Sequence, residues 1–334
     1  MITFISTLTI CYDTSLIYSK FDWIIEVSHM KIMRFKPENR LNEIQIGIVD
    51  ISNNRVLSAQ EVLRQIGVNT IENTAIEIIQ LNTNSQGELS DKLKDLNSME
   101  AANWNLDDIV YLPPVEATSL RDFIAFEEHI KTVRGNRGAE VPDAWYEMPV
   151  YYKGNHKSLL GHQEPIIWPD YSEVVDYELE LGVVIGKEGT NISETEANSF
   201  IGGYTIMNDW SARDIQFREQ SVGLGPSKGK DFGTSLGPWL VTPDEFDVLN
   251  SRMIARVNSE IWSDNNIGNI YWSINQMIEH ASKAEILYPG DVFGSGTVGG
   301  GCGAEHGNWL QNDDVIELEV EGIGKLRSKV SKLH

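Results

Sequence analysis

Val174-Val175-Asp176-Tyr177-Glu178-Leu179-Glu180-Leu181-Gly182-Val183-Val184-Ile185, bounded by Pro169 before it and Gly186 after it, is the stretch on which the reading of this chain turns. With a period of two, Val175, Tyr177, Leu179, Leu181, Val183 and Ile185 share one face of a strand. Asp176, Glu178 and Glu180 share the other. Neighbours on one strand face lie roughly 6.5–7 Å apart, so Glu178 and Glu180 repel unless something sits between them. At an effective dielectric near 20 that repulsion is about 2 kcal/mol, and a divalent cation would reverse its sign. The alternative is the solvated face of an amphipathic strand, which carries the same alternation.

Working outward, the whole chain has 334 residues, room for one large domain and a smaller one with ample core. Its 41% hydrophobic and 23% charged residues are ordinary for a soluble enzyme. A net charge of −22 argues against nucleic acid as a partner, because it cannot neutralise a phosphate backbone, and suits a protein that attracts cations, although surface acid alone gives the same number. Cys11 and Cys302 are the two cysteines, too few for a disulfide framework, so a reducing, cytoplasmic home is expected. Met1–Ile10 is apolar but has no basic flank, and Asp13 interrupts it. It is too short for a membrane span and poor as a secretory signal. Met30 or Met33 is an alternative start of the functional chain, and no membrane association is expected.

The expected division is an extension over residues 1–33, a small α/β module over 34–112 and a large domain over 113–334. In the module, Glu43–Val49 alternates as a strand and Ala59–Ile66 has helical spacing. Ile76–Leu81 reads as a second strand and Leu89–Met99 as a helix. Pro113 and Pro114 mark the boundary. Ser119 then opens a helix whose buried stripe is Phe123, Phe126, Ile130 and Val133. Strands and glycine-rich turns dominate from about residue 165, with one helix near Tyr271–Ala281 and a terminal hairpin over Asp314–Val330.

Several familiar strings fail on context. Gly294–Gly299 matches a dinucleotide fingerprint by letters, but Gly300-Gly301-Cys302-Gly303 cannot supply the helix it needs. Gly233-Thr234-Ser235-Leu236-Gly237 matches a nucleophile elbow, yet a strand follows it. Gly225–Lys230 is a misaligned phosphate loop. Neither His-Glu-x-x-His nor Cys-x-x-Cys occurs, so a zinc hydrolase finds no ligands by motif.

A second apolar strand, Gly202–Asp209, delivers an acid at its end. Glu178-Leu179-Glu180, Asn208-Asp209-Trp210-Ser211-Ala212-Arg213-Asp214, Gly229-Lys230-Asp231-Phe232 and Ser295-Gly296-Thr297 follow in order. Together they resemble the fumarylacetoacetate hydrolase family, in particular its bacterial fumarylacetoacetase-like branch, over roughly residues 110–330. The resemblance implies an α+β, β-rich fold, a mixed β-sandwich roll preceded by the small module. It implies a divalent metal held by Glu178, Glu180 and Asp209, with Asp122 as a fourth acid seven residues before His129. On the helix read here those two side chains share a face. All-oxygen ligation favours Mg²⁺, with Mn²⁺ or Ca²⁺ as alternatives.

The resemblance further implies His129 as general base, Glu305 as its partner and Lys230 as charge stabiliser, with Tyr152, Gln216 and Thr297 as substrate contacts. Each has a plainer alternative: Asp122 as a helix cap, His129 as a helix-edge residue, Lys230 as a surface lysine, Asp209 as the start of a turn. Where fumarylacetoacetase has a tyrosine two residues after the first acid, this chain has Ile124, so its substrate differs in at least one polar contact. The expected activity is metal-dependent hydrolysis of a carbon–carbon bond in a fumarylacetoacetate- or acylpyruvate-type acid, such as arises in aromatic catabolism. A decarboxylase, isomerase or hydratase/dehydratase acting on a 2-oxo acid is the alternative, and a silent metal-binding protein the third reading. A small oxo-acid and a second copy of the chain, in a homodimer, are the expected partners.

Overall fold

A computed structural model gives the fold, and it describes residues 30–93 and 95–332. Cys11, Met1–Ile10 and nearly all of the expected extension lie outside the described residues. Two open sheets carry the architecture. The larger runs in the order Asn103–Asn105, Arg55–Ser58, Gln45–Asp50, Lys31–Pro37, Thr234–Val241, Ile201–Asp209, Leu179–Ile185, Asp291–Gly294, Ser119–Phe123, Tyr151–Gly154. The smaller runs Glu260–Asn266, Arg252–Val257, Val315–Val320, Gly324–Lys332, Ile166–Trp168. The fold is α+β and strand-rich, as the sequence implies.

The larger sheet is apolar on both sides. Leu179, Leu181 and Val183 share one core with Met253, Ala255, Leu318 and Leu326 of the smaller sheet. Val184, Met207 and Leu240 face the opposite core, where Val62, Leu63, Ile78 and Ile79 come from helices Ala59–Gln65 and Ala75–Asn84. Among the described residues no helix is long and apolar enough to cross a membrane.

Three local readings need correction. Ile76–Leu81 is not a strand: Thr74 accepts a hydrogen bond from the Glu77 N–H and caps a helix whose buried residues are Ala75, Ile78, Ile79 and Asn82. That is the i, i+3, i+4, i+7 spacing of a helix face. The expected helix Leu89–Met99 shrinks to Glu88–Lys92 and a short 3₁₀ turn. Ser119 opens a strand, Ser119–Phe123, which runs parallel to Asp291–Gly294, and the helix begins at Glu127. Asp122 and His129 therefore do not share a helix face, and Asp122 is not a helix cap.

The opening stretch also differs in one respect. It is two strand segments, Val175–Asp176 and Leu179–Ile185, joined where Glu178 bridges to Cys302. Asp176 and Glu180 are 0% exposed and Glu178 is 5% exposed, which excludes a solvated face.

Candidate functional site

Four carboxylates converge from three strands and the joint before one of them. Glu180 follows Leu179, which pairs with Asn208, so Glu180 stands beside the strand that ends at Asp209. Asp122 arrives from the other side, in register with Gly294 and Tyr152. Gly294 makes the approach possible: a Cβ there would lie 2.5 Å from Asp122 Oδ1 and 2.6 Å from Glu180 Oε2. One oxygen from each of Asp122, Glu178, Glu180 and Asp209 falls within 4.8 Å of the others, and all four residues are buried.

Buried like charges at this spacing need cations. Arg213 Nη1 donates to Glu178 Oε1 at 2.7 Å, and Lys230 Nζ donates to Glu178 Oε2 at 2.7 Å and to Asp209. Although burial works against it, Lys230 and Arg213 hold the Glu178 carboxyl well below its usual range. Asp122 and Glu180 have no such partner. Burial, then repulsion from neighbouring carboxylates, pushes both well up. Asp122 Oδ1 and Glu180 Oε1 are buried oxygens without a hydrogen-bond partner. Two orphaned acceptors in an all-oxygen cluster fit a hard divalent cation. The cluster can hold a metal ion; Asp122, Glu178, Glu180 and Asp209 would be its ligands.

Beside the acids stands a dyad. His129, on helix Glu127–Gly135, has Nδ1 2.8 Å from Glu305 Oε1. Glu305 sits on the four-residue helix Gly303–His306, and its other oxygen accepts from the Gly300 N–H at 2.9 Å. The Cys302 thiol lies 3.6 Å from Glu305 Oε1. Asp176, read as a third acid of the strand face, serves a different purpose. It accepts from the Gly303 and Ala304 N–H groups and from Arg213, linking the Glu305 helix to the cation that holds Glu178.

A cavity of about 290 Å³ opens over this constellation, with Asp122, His129, Glu178, Glu180 and Lys230 in its wall. Tyr152, Gln216 and Thr297 also line it. The Tyr152 hydroxyl donates to Asp209 at 2.8 Å, and Gln216 accepts from Arg213 at 3.1 Å. Asp209 lies beneath, and Glu305 stands behind His129. The structure thus brings all ten residues singled out in the sequence to one place. Sequence reasoning missed Arg213, Asp176 and Cys302 as parts of it. The signal for Arg213 was its place in Ser211-Ala212-Arg213-Asp214, four residues past Asp209. Ile124 lines the same cavity, so the missing tyrosine is a difference in the site itself.

The chain is similar to known proteins in sequence and in fold. The profile described as "Fumarylacetoacetate (FAA) hydrolase C-terminal" matches residues 118–331. An uncharacterised protein of Staphylococcus aureus strain USA300 is 32% identical over 243 residues, which cover 72% of this chain and 78% of that protein. The solved fumarylacetoacetate hydrolase of Exiguobacterium antarcticum superposes with a TM-score of 0.71 at 25% identity, covering 91% of this chain and all of that one. The solved 5-carboxymethyl-2-hydroxymuconate delta-isomerase of Mycobacterium smegmatis gives 0.67 at 22% identity, over 91% of this chain and 100% of that one. At that identity the likeness concerns the fold alone. With a profile match over most of its length and a curated relative above 30% identity, the chain belongs to the fumarylacetoacetate hydrolase family.

Proposed function

We propose that the chain is a metal-dependent hydrolase that cleaves a carbon–carbon bond in an acylpyruvate- or fumarylacetoacetate-type 1,3-diketo acid, with Mg²⁺ or Mn²⁺ as its ion, in the cytoplasm. The observation that carries this reading is the His129–Glu305 pair, 2.8 Å apart, in the wall of the cavity that also holds the four-acid cluster.

When bound, the ion supplies Lewis-acid polarisation of the substrate's carbonyl oxygens. Glu305 fixes the His129 ring through Nδ1, which leaves Nε2 to take a proton from water. The hydroxide so formed adds to the acyl carbonyl carbon. The bond to the central carbon then breaks, and its electron pair passes to the pyruvate fragment as an enolate. The proton held at Nε2 returns to that carbon. Lys230 and Arg213 place positive charge beside the developing enolate, where preorganised charge stabilises a transition state most.

A second reading keeps the ion and drops the water: an isomerase or decarboxylase of a 2-oxo acid. It is favoured by the isomerase among the solved structures that share the fold. One set of variants separates the two. His129→Ala should lose about 10²–10⁴-fold in acylpyruvate cleavage while keeping its metal. Glu178→Gln and Asp209→Asn should lose metal affinity by calorimetric titration. A His129→Ala enzyme that cleaves at the wild-type rate would end the hydrolase reading, and isomerisation or decarboxylation in its place would establish the second.

A further inference from the structure

The dyad has a third member that hydrolysis does not use. His129, Cys302 and Glu305 are all buried and offer a nitrogen, a sulfur and an oxygen within 4.8 Å of one another. We propose that these three side chains form a second cation site, separate in chemistry from the four-acid cluster, for a thiophilic divalent ion such as zinc, and that filling it switches the enzyme off.

The geometry is close to what such an ion needs. With Zn–S near 2.3 Å and Zn–O near 2.1 Å, a tetrahedral centre sets sulfur and oxygen about 3.6 Å apart. Cys302 Sγ and Glu305 Oε1 are 3.6 Å apart. The corresponding N···O spacing is about 3.4 Å, so His129 Nδ1 and Glu305 Oε1, now at 2.8 Å, must open by about 0.6 Å. Donor softness sorts the two sites: Mg²⁺ takes oxygens, whereas a thiolate and an imidazole select zinc or cobalt.

A buried group that feels the charges of this cluster is unsatisfied. The Tyr177 hydroxyl is buried and has no hydrogen-bond partner. It lies in the field of Asp176, Cys302 and Glu305, whose charges add to burial in holding its pKa up. His129 lines the main cavity and Glu305 lines a neighbouring one of about 450 Å³, whereas Cys302 is fully buried.

Occupation silences the base by a tautomer shift. An ion on Nδ1 drives the single imidazole proton to Nε2, and the thiol proton leaves to solvent. Nε2 then carries a hydrogen where hydrolysis requires a lone pair. The inhibitory half of the proposal rests on the hydrolase reading; the binding half does not.

The test uses the full chain saturated with Mg²⁺, to which cobalt(II) is added without substrate. One equivalent should produce a sulfur-to-cobalt charge-transfer band, and zinc should titrate it away. Cys302→Ser should abolish the band and Cys11→Ser should leave it. His129→Ala should weaken cobalt by more than the roughly 10–100-fold that changes behind a ligand cost, and it answers the question even if Cys302→Ser fails to fold. Cobalt bound without the band, or a band unaffected by His129→Ala, would overturn the site. Zinc should lower turnover in step with the loss of the cobalt band; a filled site with undiminished turnover would overturn the inhibition. A chain that cleaves no acylpyruvate would count against the hydrolase reading and leave the spectra to decide the site.

Discussion

His162 lies against Tyr111, with ring centroids 4.7 Å apart, and its Nδ1 accepts from the backbone N–H of Arg327 at 3.1 Å. Burial, then the Arg327 charge, pushes its pKa down to about 4 from 6.5. A histidine held neutral in the fold but free to protonate when unfolded contributes stability at neutral pH. That contribution is lost as pH falls from the unfolded value, 6.5, toward about 4, below which both states carry the proton. The loss should reach at most about 3 kcal/mol, less whatever solvent screening removes. Urea titrations at pH 7 and pH 4.5 should show a smaller difference for His162→Phe than for the wild type; equal differences would refute the assignment. At this scale the sequence was most legible where chemistry and strand order coincide. Glu178, Glu180 and Asp209 stand on or beside apolar strands, and their clustering follows from pairing those strands. Arg213, Asp176 and Cys302 were not legible in the same way. Arg213 meets Asp176 across 37 residues and Asp176 meets the Gly303 N–H across 127, separations that a single residue does not mark, while Cys302 meets Glu305 only three residues on but carries no motif around it.

Among the α-helices of the described residues, Gly303–His306 is the shortest. Four residues cannot sustain a helix without outside support, and here Asp176 takes its Gly303 and Ala304 N–H groups at 2.8 and 3.0 Å. The same carboxylate binds Arg213 at 2.7 Å with both side chains buried. Removing one partner of a buried pair costs up to about 3–5 kcal/mol, and Arg213 would keep only Glu178 of its two carboxylates. Asp176→Ala should therefore unfold at lower urea by that amount, and its turnover should fall because Glu305 loses its seat; a cost under about 1 kcal/mol would show the tie to be dispensable. Strand identity was readable where the apolar run was long, as in Ile201–Asp209, whereas Thr234–Val241 was read as a strand only after Gly237. It failed at Ile76–Leu81 and at Ser119, where a short apolar run fits either period. There the deciding fact is tertiary: Ser119–Phe123 is a strand because Asp291–Gly294 and Tyr151–Gly154 flank it.

For the whole molecule, assembly is the open quantity, and we expect a two-fold dimer. The apolar residues between Trp239 and Tyr271 are candidates for that interface or, equally, for the core. Trp239 turns out to be packed inside, whereas Leu249, Ile261 and Tyr271 stay exposed at 62%, 54% and 44%. The charge of −22 per chain opposes approach, but screening over about 8 Å at physiological salt limits the repulsion. A patch of roughly 800 Å² per partner then suffices. Light scattering at micromolar concentration should return twice the 37.5 kDa chain mass, and a monomer would refute the dimer. Sheet continuity has its own consequence. Lys31 and Ile32 pair with Val241 and Leu240, so the first described strand closes the flank of Thr234–Val241, which in turn supports the strand ending at Asp209. The strands of the segment ahead of the family-matched residues thus continue the larger sheet. Any recombination between relatives that swaps this segment has to conserve that pairing, or it leaves a raw edge open to other chains.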